Sequence, residues 1–196
     1  MKKNVCLFSA LLLILFACKQ KNSNSDQHQK ESFFPVLSFI KSQVAHVDTS
    51  LYPIKKIVFT DSTHSDTIFV PREEFRNLAK DFLESPDLTD KKYKSRYTEE
   101  KLFDETLNRV IISYKPQNPD KEELQKQEVL IAPGPSGDKV NSIIIDRIII
   151  NKDSFLQKTM LWQVDKSFQV TTTAQKSSQP ETITIMKVSW GENENE

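Results

Sequence analysis

The chain has 196 residues and carries 27 basic against 27 acidic side chains, so its formal charge is zero. Neither sign gathers into a long block, which leaves out the basic stripe of a nucleic-acid binder. Three glycines, three histidines and two cysteines are too few for a phosphate-cradling loop or for a His and Cys metal site, so no metal and no cofactor are expected.

Lys2 and Lys3 precede an uncharged run from Val5 to Ala17, which closes on Leu15-Phe16-Ala17-Cys18. A positive start, a short apolar segment and a small residue before a cleavage point are the parts of a secretory signal peptide. The run is well below the roughly 20 residues that cross a hydrocarbon core as a helix. The pattern resembles a bacterial lipoprotein signal. That resemblance implies cleavage before Cys18, diacylglycerol on its sulfur and fatty acylation of the new amino terminus. Residues 1–17 are then a signal peptide and 18–32 a lipidated stem. Cys6 leaves with the signal and Cys18 becomes a thioether, so the mature chain forms no disulfide, and its core must hold it together. Lys19 stands where an acidic residue marks inner-membrane retention, which implies an outer-membrane destination. The acidic cluster linked to surface export is missing, which points to the periplasmic face.

From Lys19 to Ser32 the sequence reads KQKNSNSDQHQKES, without an apolar residue to bury. Such a stretch cannot offset the entropy of its own ordering, and as a random coil it would span about 20 Å. A single domain is expected over 33–190, with a disordered acidic tail over 191–196. In Phe33 to Val47, the spacing of Val36, Phe39, Ile40 and Val44 predicts a helix, with Leu37 widening the apolar face. Phe33 and Phe34 suit its core side or a membrane surface. Ile54 to Thr60 and Asp66 to Val70 read as a hairpin around a polar turn. His64 and the aspartates there invite a metal or acid-base role, yet Asp and Ser also occupy tight turns because they bond local backbone. Pro71 opens a second helix, whose apolar face is Phe75, Leu78, Ala79 and Phe82.

Asp87 to Lys101 is polar, with Tyr93 and Tyr97 among Lys91, Lys92, Lys94 and Arg96. Aromatics interleaved with cations bind sugars, phosphates or single strands, or else bury their rings and keep their hydroxyls wet. A helical turn is expected from Glu99 to Phe103. From Thr106 the apolar period becomes two. Val110, Ile112 and Tyr114 share a face of one strand, and Val129 and Ile131 a face of the next. Lys139 to Ile150 is apolar on both faces, which predicts cover on both sides, with a bulge or charged partners at Asp146 and Arg147. Met160 and Trp162 follow on one strand and Phe168 and Val170 on another. The shift of phase at Ile185-Met186, before Val188 and Trp190, predicts a bulge in the last.

The order indicates an α+β domain: an antiparallel meander of about eight strands with two main helices packed on one face. In layout it resembles the small lipoproteins of Bacteroidetes-type bacteria, a likeness that attaches a role to no residue except Cys18. The expected function is that of a membrane-anchored envelope lipoprotein, a non-catalytic binding or structural module. Its partners would be the membrane, through lipid on Cys18, and an envelope protein. An apolar ligand or lipid in a sheet-helix cavity is the alternative, and an extracytoplasmic hydrolase using paired carboxylates such as Glu73-Glu74 or Glu99-Glu100 is a second. Tyr93, Tyr97, Trp162 and Trp190 are the candidate binding residues.

Overall fold

The computed structural model describes residues 33–59 and 65–191. The signal, Cys18, the stem, His64 and the tail from 192 lie outside the described residues. Helix α1 spans Val36–Thr49 and buries Val36, Ile40, Val44 and Val47, one apolar residue per turn. Strands β1, Ile54–Phe59, and β2, Ser65–Val70, form the expected antiparallel hairpin. The second helical stretch is two pieces, α2 at Arg72–Leu78 and α3 at Lys80–Leu83, which part at Ala79 (φ −82°, ψ 4°). A short helix α4, Lys91–Lys94, precedes the rest of the sheet.

That sheet continues with β3 (Tyr97–Asp104), β4 (Arg109–Pro116), β5 (Leu124–Ala132), β6 (Lys139–Asn151), β7 (Ser154–Gln163), β8 (Ser167–Lys176) and β9 (Thr182–Trp190). Its nine strands run in the order β2-β1-β9-β8-β7-β6-β5-β4-β3, and every neighbouring pair is antiparallel. Seven strands are a plain meander. The first hairpin then pairs with the last strand, Ile54 opposite Trp190 and Val58 opposite Met186.

Nine strands replace the expected eight or so because β3 is a strand where a loop and a helical turn were predicted. It is an edge strand, paired only with β4, and Tyr97 is its one buried residue. Exposed on both faces elsewhere, it needs no apolar alternation. Backbone hydrogen bonds to β4 are enough to hold it.

Two further expectations are corrected. Ile143 and Ile145 of β6 are fully buried, but Ile144 and Ile148, on the opposite face, are only half-buried, and Ile150 is 74% exposed. Ile144 is flanked by Glu128 and Leu161, whose long side chains shield it from the sides. Nor is there a bulge at Ile185-Met186, since β9 keeps an unbroken register with both neighbours. The phase shift instead reflects apolar residues on both faces, with Ile183 52% exposed. The irregularity near Asp146 and Arg147 falls on the partner strand, between Leu124 and Lys126 of β5. Asp146 pairs with Lys126 at 3.4 Å and Arg147 with Glu123 at 2.9 Å.

The core centres on rings. Phe75 lies 4.9 Å from Trp190 and 5.9 Å from Phe168, while Phe82 lies 5.1 Å from Trp162 and 5.3 Å from Phe168. Trp162 and Phe168 stack at 5.3 Å. Phe75, Phe82, Trp162 and Phe168 are wholly inaccessible. The crossing from α1 to the hairpin is fixed by Arg72, whose guanidinium donates to the carbonyls of Val47 and Tyr52 and to the Ser50 hydroxyl. The Val47 carbonyl, at the helix end, also accepts from the Ser50 N–H and hydroxyl, each at 3.1 Å. Among the described residues no helix is long and apolar enough to cross a membrane.

Phe75→Ala in the full chain removes a fully buried ring with three ring neighbours, and is expected to cost about 3–5 kcal/mol of stability in a denaturant titration. A loss below about 1 kcal/mol would mean that the rings do not carry the core.

Candidate functional site

The four candidate binding residues fall into two places. Trp162, on β7, is fully buried, and Trp190, at the end of β9, is 4% exposed. Their centroids are 5.4 Å apart and both face the phenylalanines of α2 and α3. Rings at these separations leave no lipid-sized space among themselves. Their indole N–H groups have no acceptor among the described residues, so packing alone holds them.

Tyr93 and Tyr97 lie elsewhere, on α4 and at the start of β3, and local hydrogen bonding shapes the approach to them. Asp87 accepts from the backbone and hydroxyl of Thr89, at 3.0 and 2.6 Å. Asp90 then caps α4, accepting from Lys92 N–H at 3.1 Å. This single turn of helix presents Tyr93 half-buried, with Lys92 Nζ 4.5 Å and Arg96 Cζ 4.7 Å from its ring centre. Both are cation–π distances. Arg96 also pairs with Glu122 at 3.0 Å.

Tyr97 belongs to the interior, although only four residues separate it from Tyr93. It opens β3, is 3% exposed, and donates its hydroxyl to Leu124 O at 3.1 Å and to Glu122 at 3.3 Å. Burial first, and then the Glu122 carboxylate, push its pKa well above the usual tyrosine range. The sequence had grouped the two tyrosines by spacing; the backbone puts one on a helix and the other on a strand.

Tyr114, on β4, was assigned only to a strand face. It is fully buried, lies 4.8 Å from the Phe33 ring, and its hydroxyl oxygen accepts from Phe34 N–H at 2.8 Å. Its pKa is also raised, chiefly by burial, against the opposing Phe34 hydrogen bond. The entry of the chain into the domain is therefore pinned to β4. Lys94 Nζ stands 5.6 Å from the Phe33 ring centre, so α4 and the chain entry are neighbours.

Two other features had no sequence signal. Lys126 sits between Glu128 at 3.2 Å and Asp146 at 3.4 Å. Partial burial opposes its charge, but Glu128 and then Asp146 outweigh this and raise its pKa. A depression of about 480 Å³ lies between α1 and the turns after β5 and β7, floored by Phe39, Val140 and Val164. Gln43 closes one side by accepting from Asp165 N–H at 3.0 Å.

The paired acids are dispersed. Glu73 and Glu74 lie in the first turn of α2, while Glu99 and Glu100 are successive residues of β3 and pair separately with Lys101 and Lys115. Among the described residues no group of three or more His, Cys, Asp or Glu is placed to hold a metal ion. No family model, curated protein or solved structure matches this chain.

Tyr97 and Tyr114 both ionise later in the folded chain than in the unfolded one. Their contribution to stability is complete below the unfolded value near 10 and is lost as pH rises toward their folded values. Denaturant titrations should therefore show stability falling above about pH 10, with a shallower fall in Tyr97→Phe. That variant should itself cost about 1 kcal/mol at neutral pH through the lost Leu124 bond. A slope unchanged by the substitution would place the Tyr97 hydroxyl in water.

Proposed function

We propose that the protein is a lipid-anchored lipoprotein of a bacterial envelope, a non-catalytic binding or structural module held to the outer membrane facing the periplasm. One observation carries the reading: Lys2 and Lys3, the uncharged run from Val5, and Leu15-Phe16-Ala17-Cys18. Thioether lipid on Cys18, together with acylation of the amino group that cleavage exposes, supplies more than one chain. Two anchoring signals are what stable membrane attachment requires.

The same reading treats the remainder as one body with α1 and the α2–α3 stretch over one face of the sheet. Phe33 against Tyr114, Phe75 against Trp162, Phe168 and Trp190, and Phe82 against Trp162 and Phe168 support that arrangement. Lys158 of β7 also reaches Asp81 of α3 in an ion pair. A domain whose rings are this closely packed keeps its shape without a ligand, as a partner-binding or spacing module needs to.

Mass spectrometry of the native protein tests the anchor. Residues 1–17 should be missing and Cys18 should carry diacylglycerol and an acyl chain. Cys18→Ser should keep residues 1–17 and incorporate no labelled palmitate. A wild-type chain with a free thiol at residue 18 would end this reading.

A further inference from the structure

We propose that the basic segment from Lys91 to Arg96 is a docking surface for anionic phospholipid headgroups, through which the domain takes a fixed orientation on its membrane. The proposal rests on lipid anchoring at Cys18 and adds to it which end of the domain meets the bilayer.

Lys91, Lys92, Lys94 and Arg96 place four cations within six residues. Of the two acids just before them, Asp87 accepts from Thr89 and the exposed Asp90 from the Lys92 N–H. Glu122 pairs with Arg96 and accepts from the Tyr97 hydroxyl. Lys91 and Lys92 are exposed, and neither has an ion-pair partner among the described residues. Two ammonium groups are thus available to phosphate, and Tyr93 beside them is half-buried, an amphipathic ring of the kind that settles at headgroup level.

Position turns this patch into a membrane surface. Phe33 is the first described residue, and its ring contacts Tyr114 of β4 with Lys94 close by. Only fourteen residues, 19–32, separate Phe33 from Cys18. A nine-stranded sheet at about 4.8 Å per strand is about 40 Å across, and β4 is second from one edge while β2 forms the other. The chain therefore enters the domain beside α4, toward the edge of the sheet opposite the β1–β2 hairpin. Each lysine within a Debye length of an anionic leaflet is attracted to it, and the tether keeps the patch at high effective concentration, so weak attraction is enough to orient the domain.

The test uses the processed full-length protein, reconstituted through its anchor into vesicles of phosphatidylcholine alone or mixed with phosphatidylglycerol. Lysines are acetylated with an N-hydroxysuccinimide ester and read by mass spectrometry, which reports Cys18 in the same spectra. Lys91 and Lys92 should react about threefold or more slowly on the mixed vesicles than on phosphatidylcholine. Lys166, exposed in the turn after β7, should react alike on both. High salt should remove the difference. Equal reactivity of Lys91 and Lys92 on the two vesicles, or equal protection of Lys166, overturns the docking surface and leaves the anchor standing. An unmodified Cys18 overturns the anchor and the docking together.

Discussion

The ladder between β1 and β9 is the constraint on which the rest of the domain depends. It joins residues 54–59 to residues 185–190, so nearly the whole folded chain lies in the loop that it closes. The entropy of closing such a loop grows only with the logarithm of its length, so a modest reward suffices. The reward is apolar: Ile54 meets Trp190 and Val58 meets Met186. Because β2 leads directly into α2, the same pairing carries Phe75 to within 4.9 Å of Trp190. Without that register, the rings of α2 and α3 would have no counterpart on the late strands.

The charges work at the margins of this ring cluster. Arg76–Asp48, Lys80–Glu84 and Lys115–Glu100 are exposed pairs, a class that contributes little once solvent and salt have screened it. The polar groups that matter to the fold are the few drawn inside. Tyr97 and Tyr114 each use their hydroxyl on backbone, tying β3 to the start of β5 and the chain entry to β4. A buried hydroxyl left without such a partner would cost more than the bond contributes. These bonds therefore specify position more than they add stability.

On the proposed reading, address and body are separate parts of one chain. The address is a short charged and apolar pattern ending at Cys18, recognisable without any tertiary contact. The body is a ring-filled sheet and helix structure in which the cation-rich turn α4 lies beside Phe33. That adjacency is the basis of the orientation proposed for the domain on its membrane.

Much of the sheet was legible because its strands are apolar on at least one face. Val110, Ile112 and Tyr114, or Phe168 and Val170, announce a period of two whatever their neighbours are. The misreadings arose where burial does not set the pattern. Strand β3 is held by hydrogen bonds at an edge and has no buried face to alternate, so Glu99 to Phe103 carried no strand signal. Ile144 and Ile185 are apolar on a face shielded only by cross-strand neighbours, and that neighbourhood is invisible before the register is known. In the candidate site, spacing joined Tyr93 to Tyr97, while the change from helix to strand between them parted their environments.

By itself the sequence determined where the strands from β4 onward lie, the first helix, the helical stretch after Pro71 and the pattern that terminates at Cys18, because each depends on side chains a few residues apart. Tertiary structure alone decided that β1 pairs with β9, that Tyr97 is interior, that Trp162 and Trp190 belong to one ring cluster, and that α4 adjoins the entry of the chain. Those contacts join residues far apart in the chain, and which of many chemically similar partners meet depends on packing the whole sheet at once.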